Sequence, residues 1–333
     1  MTAGQPTTEA TATADRPADD SRLRSGAVAW RRVATRIGTG IGVMWAAATV
    51  AYVVLHTMPG KIEDILLGDQ SYPGAQEAVA AEWGLDRPPL VQYLDYLGRL
   101  PHGDLGTSYA MRQPVISVVG DQLWPTVELT LLAAGFALVL ALSVAIGTAG
   151  RARPLRATAS VAELVATSMP VYWLGILLLM AFSFGLGWFP VTADSGAASL
   201  VLPAVTLGLP MAGLLSQVLR EALESTLEQP FITTVRARGV GETLVRLRHA
   251  LSHALPPVIN LGGWMIGSLL GGAVITETVF GRPGLGAVTL TAVTHKDVPV
   301  VLAVVLLAAF AYVVISTLVD IVNLLIDPRL RTR

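Results

Sequence analysis

Long uncharged apolar runs, separated by short polar stretches, set the pattern of this chain. Ile37 to Gly60 carries no formal charge, and five further runs follow: Leu129–Gly150, about 158–185, Leu200–Leu219, Pro256–Thr276 and Val298–Val319. Only Glu163, near the start of the third run, breaks their neutrality. Roughly 20 residues at about 1.5 Å each cross a ~30 Å hydrocarbon core with every backbone polar group bonded internally. The pattern therefore predicts an all-α integral membrane protein with six transmembrane helices. The first run resembles a signal peptide in outline, but its apolar part is too long, and it reads as a retained span.

Six crossings put both termini on one side, and the basic residues choose the side. With the termini in the cytoplasm, 17 of the 23 Lys and Arg fall inside, and Lys61, Arg87, Arg99, Arg112, Arg282 and Lys296 fall outside. A bacterial inner-membrane, multi-pass protein with cytoplasmic N- and C-termini is expected. Composition agrees: 53% of the 333 residues are hydrophobic and 14% charged, against about 25% charged in soluble domains. The net charge of −1 gives no reason to expect nucleic acid, and the absence of cysteine removes disulfides, thiol catalysis and Cys-based metal sites.

Three polar segments remain. Residues 1–30 read as a disordered cytoplasmic tail, because the first 25 have almost no bulky apolar side chain to offset ordering entropy. The membrane domain then occupies 31–333. Residues 61–121, with nine acidic against four basic residues, form an external segment whose Ser71-Tyr72-Pro73-Gly74 is a turn signal. Residues 220–255 form a cytoplasmic loop of helical pieces. In it Pro230 opens a short helix that Gly239-Val240-Gly241 closes.

Candidate chemistry is sparse. Lys61 and Lys296 lack the flanking residues of a phosphate-cradling loop, so the chain is not expected to bind ATP by that route. His249 and His253 share a helix face at zinc-protease spacing, but Ala250 stands where the general-base Glu is needed, so they read as a solvated basic face. His56 reads as an interfacial residue. Glu163, Glu277 and Asp320 lie near span ends, and helix-end anchoring is the favoured reading for Glu163 and Asp320. Gly263, Gly267 and Gly271 recur every four residues and mark either close helix packing or a pore-lining face. Phe231 and Val235, four apart beside Arg236 and Arg238, offer a small apolar face with basic flanks. That face suits either a lipid surface or a groove on a soluble partner.

Taken together, several of these segments resemble the inner-membrane permeases of ATP-binding-cassette importers for dipeptides, oligopeptides and nickel, over roughly residues 30–331. The segments are 84–109 (GLDRPPLVQYLDYLGRLPHGDLGTSY), 169–179 (MPVYWLGILLL), 230–258 (PFITTVRARGVGETLVRLRHALSHALPPV) and 275–286 (ITETVFGRPGLG). The resemblance implies the type I importer permease fold and a coupling role for Phe231, Thr234, Val235, Arg236, Ala237, Arg238 and Gly239, with Leu255-Pro256 closing the motif. Thr233-Thr234-Val235 stand where the family signature has Glu-Ala-Ala, and Pro59-Gly60-Lys61 where Pro-Gly-Asp is common. It also implies partners: a second homologous permease, two ATP-binding subunits holding ATP and Mg, and an extracytoplasmic solute-binding protein. Asp104 and Arg282 are expected on the docking side.

The implied function is half of a pathway for di- or oligopeptides, with nickel or glutathione as other cargoes of the same class, and no catalysis, cofactor or metal on this chain. A self-sufficient secondary transporter or channel is the alternative. It should show internal repeats and ionisable groups at mid-span, and a membrane enzyme should show a nucleophile or metal constellation. The sequence has neither.

Overall fold

The computed structural model describes residues 20–57, 74–191 and 196–326. The chain divides into two units, Met1–Trp45 and Ala46–Arg333. Its eleven helices among the described residues are α1 (Asp20–Thr57), α2 (Ala75–Trp83), α3 (Pro89–Arg99), α4 (Val115–Thr148), α5 (Arg153–Ser168), α6 (Val171–Gly185), α7 (Ala198–Leu227), α8 (Pro230–Ala237), α9 (Glu242–Val279), α10 (Leu285–Thr294) and α11 (Val298–Ile326).

Five of them contain stretches long and apolar enough to cross a membrane, namely Thr35–Thr57 of α1, α4, α7, α9 and Val298–Val322 of α11; α5 and α6 make a sixth crossing if taken as a pair. That pair covers the span expected over about 158–185, and it is bent by 104°. The cause is local. Pro170 has no N–H to continue the ladder, and Met169 before it is extended at ψ 129°, as a residue preceding proline prefers.

Three boundaries also move. Helix α1 begins at Asp20, so the last part of the expected tail is helical, while residues 1–19, Lys61 and most of the Ser71–Gly74 turn lie outside the described residues. Helix α4 starts at Val115, so residues 115–121 of the segment expected outside are helical. The loop expected over 220–255 shrinks to residues 228–241, since α7 runs on to Leu227 and α9 starts at Glu242. Pro256 and Pro257 sit inside α9, preceded by a wide turn over Val245–Ala250. Membrane helices carry proline where local widening and neighbours satisfy the freed carbonyls.

From Ala46 onward, apolar clusters hold the helices together from end to end. At the α8 end, Ala145 and Ala149 meet Leu219, Leu223, Leu227, Val245, Ala250 and Ala254 around Ile232. In the middle, Leu129 and Ala133 of α4 face Ala204 and Leu207 of α7 and Leu269 and Ala273 of α9. At the opposite end, Val115, Val118 and Val119 meet Leu285, Val300 and Val301. The alternation of Ala with Leu allows close approach. A Cβ at Gly208 would stand 2.6 Å from the Ala133 carbonyl oxygen, so α7 and α4 touch through backbone there.

Candidate coupling site

The α8 elbow is built by breakers. Gln229 leaves the helical region at ψ 146°, and Pro230 occupies the first turn of α8, where its missing N–H costs nothing. The helix closes on Arg238, whose N–H reaches the Thr234 carbonyl at 3.3 Å, and the Gly239 N–H reaches Arg236 at 2.9 Å. Gly239 itself is left-handed at φ 77°, and a Cβ added there would meet nothing within 4 Å, so the demand at this site is conformational and not spatial.

The apolar face of α8 corrects the expectation of an outward patch. Ile232 is fully buried, and Phe231 and Val235 are half-buried against the same cluster of α7 and α9. An apolar face folds first onto the nearest apolar surface, and here that surface is the protein's own. What α8 presents outward is Thr233, Thr234, Arg236, Ala237 and Arg238, followed by Gly239. Arg236 forks onto Glu242 at the start of α9, Nε to Oε1 at 2.7 Å and Nη2 to Oε2 at 3.2 Å, and this carboxylate holds its guanidinium above the ordinary arginine range. Both groups are exposed, so the fork orients the elbow more than it stabilises it. His253 lies over Phe231 with ring centroids 5.0 Å apart, and no cluster of three or more metal-binding side chains exists among the described residues.

Behind the elbow, charges tie α7 to α5. Arg220 gives both terminal nitrogens to Glu163, Nη1 to Oε1 at 2.7 Å, and Ser216 and Ser160 complete the network. Their side chains are 10% and 5% exposed. One turn further, Arg156 pairs with Glu224 at 3.1 Å. Helix-end anchoring is thus the wrong reading for Glu163, whereas Asp320 is exposed near the end of α11. Sequence reasoning noted Glu163 as a lone charge in a span. It missed that Arg220, opposite in sign, would face it once the third crossing folded over at Pro170.

At the far end, Glu277 is fully buried. Thr126 of α4 donates to its Oε1 at 2.6 Å, the Gly286 N–H donates to Oε2 at 2.7 Å, and the Leu285 N–H donates to the Thr126 hydroxyl at 2.8 Å. Glu277 therefore caps α10 and fastens α9, α10 and α4 together. The carboxylate occupies the space a Cβ would need at Gly284, and a Cβ at Gly286 would overlap the Val274 backbone. This explains Gly284 and Gly286 by contact, whereas Gly281 meets nothing within 4 Å and is left-handed at φ 59°.

Asp297 does a similar task for the segment that precedes α4. It accepts from the Ser108 hydroxyl and from the Tyr109 and Ala110 N–H groups at 3.1 Å. Nothing in the sequence singled it out, because its partners lie nearly 190 residues away. Beside it opens a cavity of about 780 Å³ lined by Tyr52, His56, Trp83, Tyr96, Arg99 and Tyr109. Burial pushes the Tyr96 and Tyr109 hydroxyls up to about 12, so both stay neutral.

Residues 137–332 match the family described as binding-protein-dependent transport system inner membrane component. The chain belongs to this family. A protein of Brucella abortus (strain 2308), provisionally named a peptide transport system permease, is 35% identical over 307 residues, which is 89% of this chain and 97% of that one. The glutathione transport system permease GsiC of Salmonella typhi is 32% identical over 292 residues, 87% and 95% of the two chains. Among solved structures, the inward-facing MetNI methionine ABC transporter in its native crystal form gives a TM-score of 0.50 at 20% identity, covering 65% of this chain and 100% of that one. At that identity the likeness speaks for the fold, a type I importer permease. The protein is a permease subunit of an ATP-binding-cassette importer and a multi-pass inner-membrane protein.

In this permease the glycine stripe divides. A Cβ at Gly263 would lie 2.5 Å from Val319 of α11, and at Gly267 it would just touch Tyr312, whereas Gly271 faces open space. Packing accounts for the first position alone. Arg282 is buried at 7% exposure with Glu128 3.6 Å away, so it offers no free charge to a docking protein; Asp104 is exposed and accepts from the Gly106 N–H at 2.8 Å.

Proposed function

We propose that this permease is one of two halves of an inward pathway for di- or oligopeptides, driven by ATPase subunits that grip α8. The observation that carries the reading is the elbow itself. It is a short helix bounded by Pro230 and Gly239, pinned inward by Ile232, with Thr233, Thr234, Arg236, Ala237 and Arg238 turned outward. A partner groove closing on that face pushes on two levers at once, because α8 is joined covalently to α7 and packed on α9. Helix α9 has 38 residues and at about 1.5 Å per residue is roughly 57 Å long, enough to carry the displacement to the Glu277 node at the far end. The Glu163–Arg220 fork couples α5 to the same stroke. Rigid levers between discrete packing arrangements are a general route for such coupling.

In this reading ATP and Mg are held by the partner subunits, and the solute meets each side of the membrane in turn. A homologous permease completes the pathway, and a solute-binding protein delivers cargo on the side of Asp104. The arginine distribution supports cytoplasmic termini. Peptide is favoured as cargo by the name of the Brucella relative, with glutathione, itself a peptide, the cargo named for GsiC.

Reconstitution tests the proposal. Proteoliposomes holding the permease with its co-expressed partners should accumulate a labelled dipeptide only with ATP inside and binding protein outside. Accumulation by the lone chain under an ion gradient would replace this reading with a self-sufficient carrier. Uptake of glutathione but of no other peptide would narrow the cargo, and crosslinkers at Asp104 that never capture the binding protein would remove the docking assignment.

A further inference from the structure

A groove of about 390 Å³ opens between the end of α4 and the start of α9. Leu142, Ser143, Ile146 and Arg151 line one side, Arg246 and Leu247 the other. Arg246 is 6% exposed, and its Nε has no hydrogen-bond partner. Its charge acts on Glu242, but that carboxylate is already forked by Arg236. The C-terminal dipole of α4 beside Gly150 offsets part of the charge without supplying an acceptor for Nε. A buried guanidinium left in this state is costly unless an anion completes it.

The walls decide which anion. Leu142 and Ile146 lie within the membrane-crossing length of α4, and Leu247 is 47% exposed. From Leu142 to Thr148 the groove follows α4 for roughly 9 Å at the helical rise, and Arg151 lies just beyond the helix end, toward the headgroup level. A free phosphate has no use for the apolar walls, and a carboxylate on a soluble partner would have to enter them. A phospholipid matches both parts, its acyl chain along Leu142, Ile146 and Leu247 and its phosphate between Arg246 and Arg151.

We infer that this groove is a binding site for an anionic phospholipid, held by Arg246 and Arg151 where the coupling helix joins the membrane domain. Two cations with no carboxylate between them favour a net negative headgroup over a zwitterionic one. The site borders the cluster that carries Ile232 and Val245, so its occupant is placed to stiffen the elbow. The inference rests on the membrane-spanning assignment alone, and neither the cargo nor the direction of transport enters it.

The test uses the full permease purified with its co-expressed partners, stripped of lipid and titrated with phosphatidylglycerol or phosphatidylcholine under native mass spectrometry. Phosphatidylglycerol should be retained about tenfold more tightly than phosphatidylcholine, because both carry the phosphate but the choline cation beside it is repelled by Arg246 and Arg151. Arg246→Gln should abolish that preference, and Arg153→Gln, exposed and outside the groove, should leave it intact. If Arg246→Gln does not purify, exposed Arg151→Gln carries the test with a loss of about threefold. Equal retention of both lipids, or unchanged selectivity in the Arg246 and Arg151 variants, overturns the inference. So does displacement of phosphatidylglycerol by excess inorganic phosphate, or a photocrosslinker at Leu247 that captures a partner polypeptide instead of lipid.

Discussion

Replacing Arg220 by Ala strips Glu163 of its counter-charge in a site where the two side chains are only 10% and 5% exposed. At about 4 Å and an effective dielectric near 20 the attraction is roughly 4 kcal/mol, and breaking a buried pair from one side costs about 3–5 kcal/mol. Ser216 can hold only part of what the guanidinium held, and Ser160 loses its partner as well. For a chain of this size about 2 °C of melting temperature is lost per kcal/mol, so Arg220→Ala should unfold roughly 6–10 °C earlier in detergent. Glu163→Ala should behave alike, because it leaves a buried cation instead. The double substitution Glu163→Leu with Arg220→Met fills similar volume with no charge, and should return to within about 3 °C of the parent. Thermal unfolding followed by tryptophan fluorescence measures all four proteins. ATP-driven uptake by the double variant, if lower than the parent, then reports coupling and not stability. A double variant as unstable as the sum of the two singles would refute the claim that this pair joins α5 to α7.

Gly239→Val places a β-branched residue at φ 77° and should cost at least 1–2 kcal/mol locally, abolishing uptake while the permease still reaches the membrane; Gly239→Asn, which tolerates that region, should retain most uptake. Ile232→Ala removes the inward pin of α8 and should cost about 2–5 kcal/mol, seen as partner ATPase activity that no longer depends on the binding protein. Thr126→Val leaves the buried Glu277 carboxylate and the Leu285 N–H short of a partner, with an expected loss of about 1–3 kcal/mol in the same melting assay. Tyr96 and Tyr109 titrate near 12 in the folded protein against 10 for the free group. Their contribution to stability is complete below pH 10 and is lost as pH rises toward 12, which ultraviolet difference titration can follow.

The apolar run lengths alone determined the all-helical membrane class and the approximate place of five crossings, while the run over about 158–185 folds as a bent pair that makes a sixth only if α5 and α6 are taken together. That succeeds because a backbone in hydrocarbon must satisfy itself within one segment, so a span is written in consecutive residues. The elbow was legible for the same reason: Pro230 and Gly239 act on their own backbone, and their effect needs no distant partner. Tertiary structure decided what the charges do. Glu163 looked like an anchor and is a buried ion pair, Arg282 looked like a docking charge and is enclosed beside Glu128, and Asp297 went unremarked although it secures the segment that precedes α4. It also turned Phe231 and Val235 inward and split the glycine stripe into packed and open positions. Each of these depends on which residue, tens to hundreds of positions away, lies opposite across a helix contact, and only the packing of the helices sets that pairing.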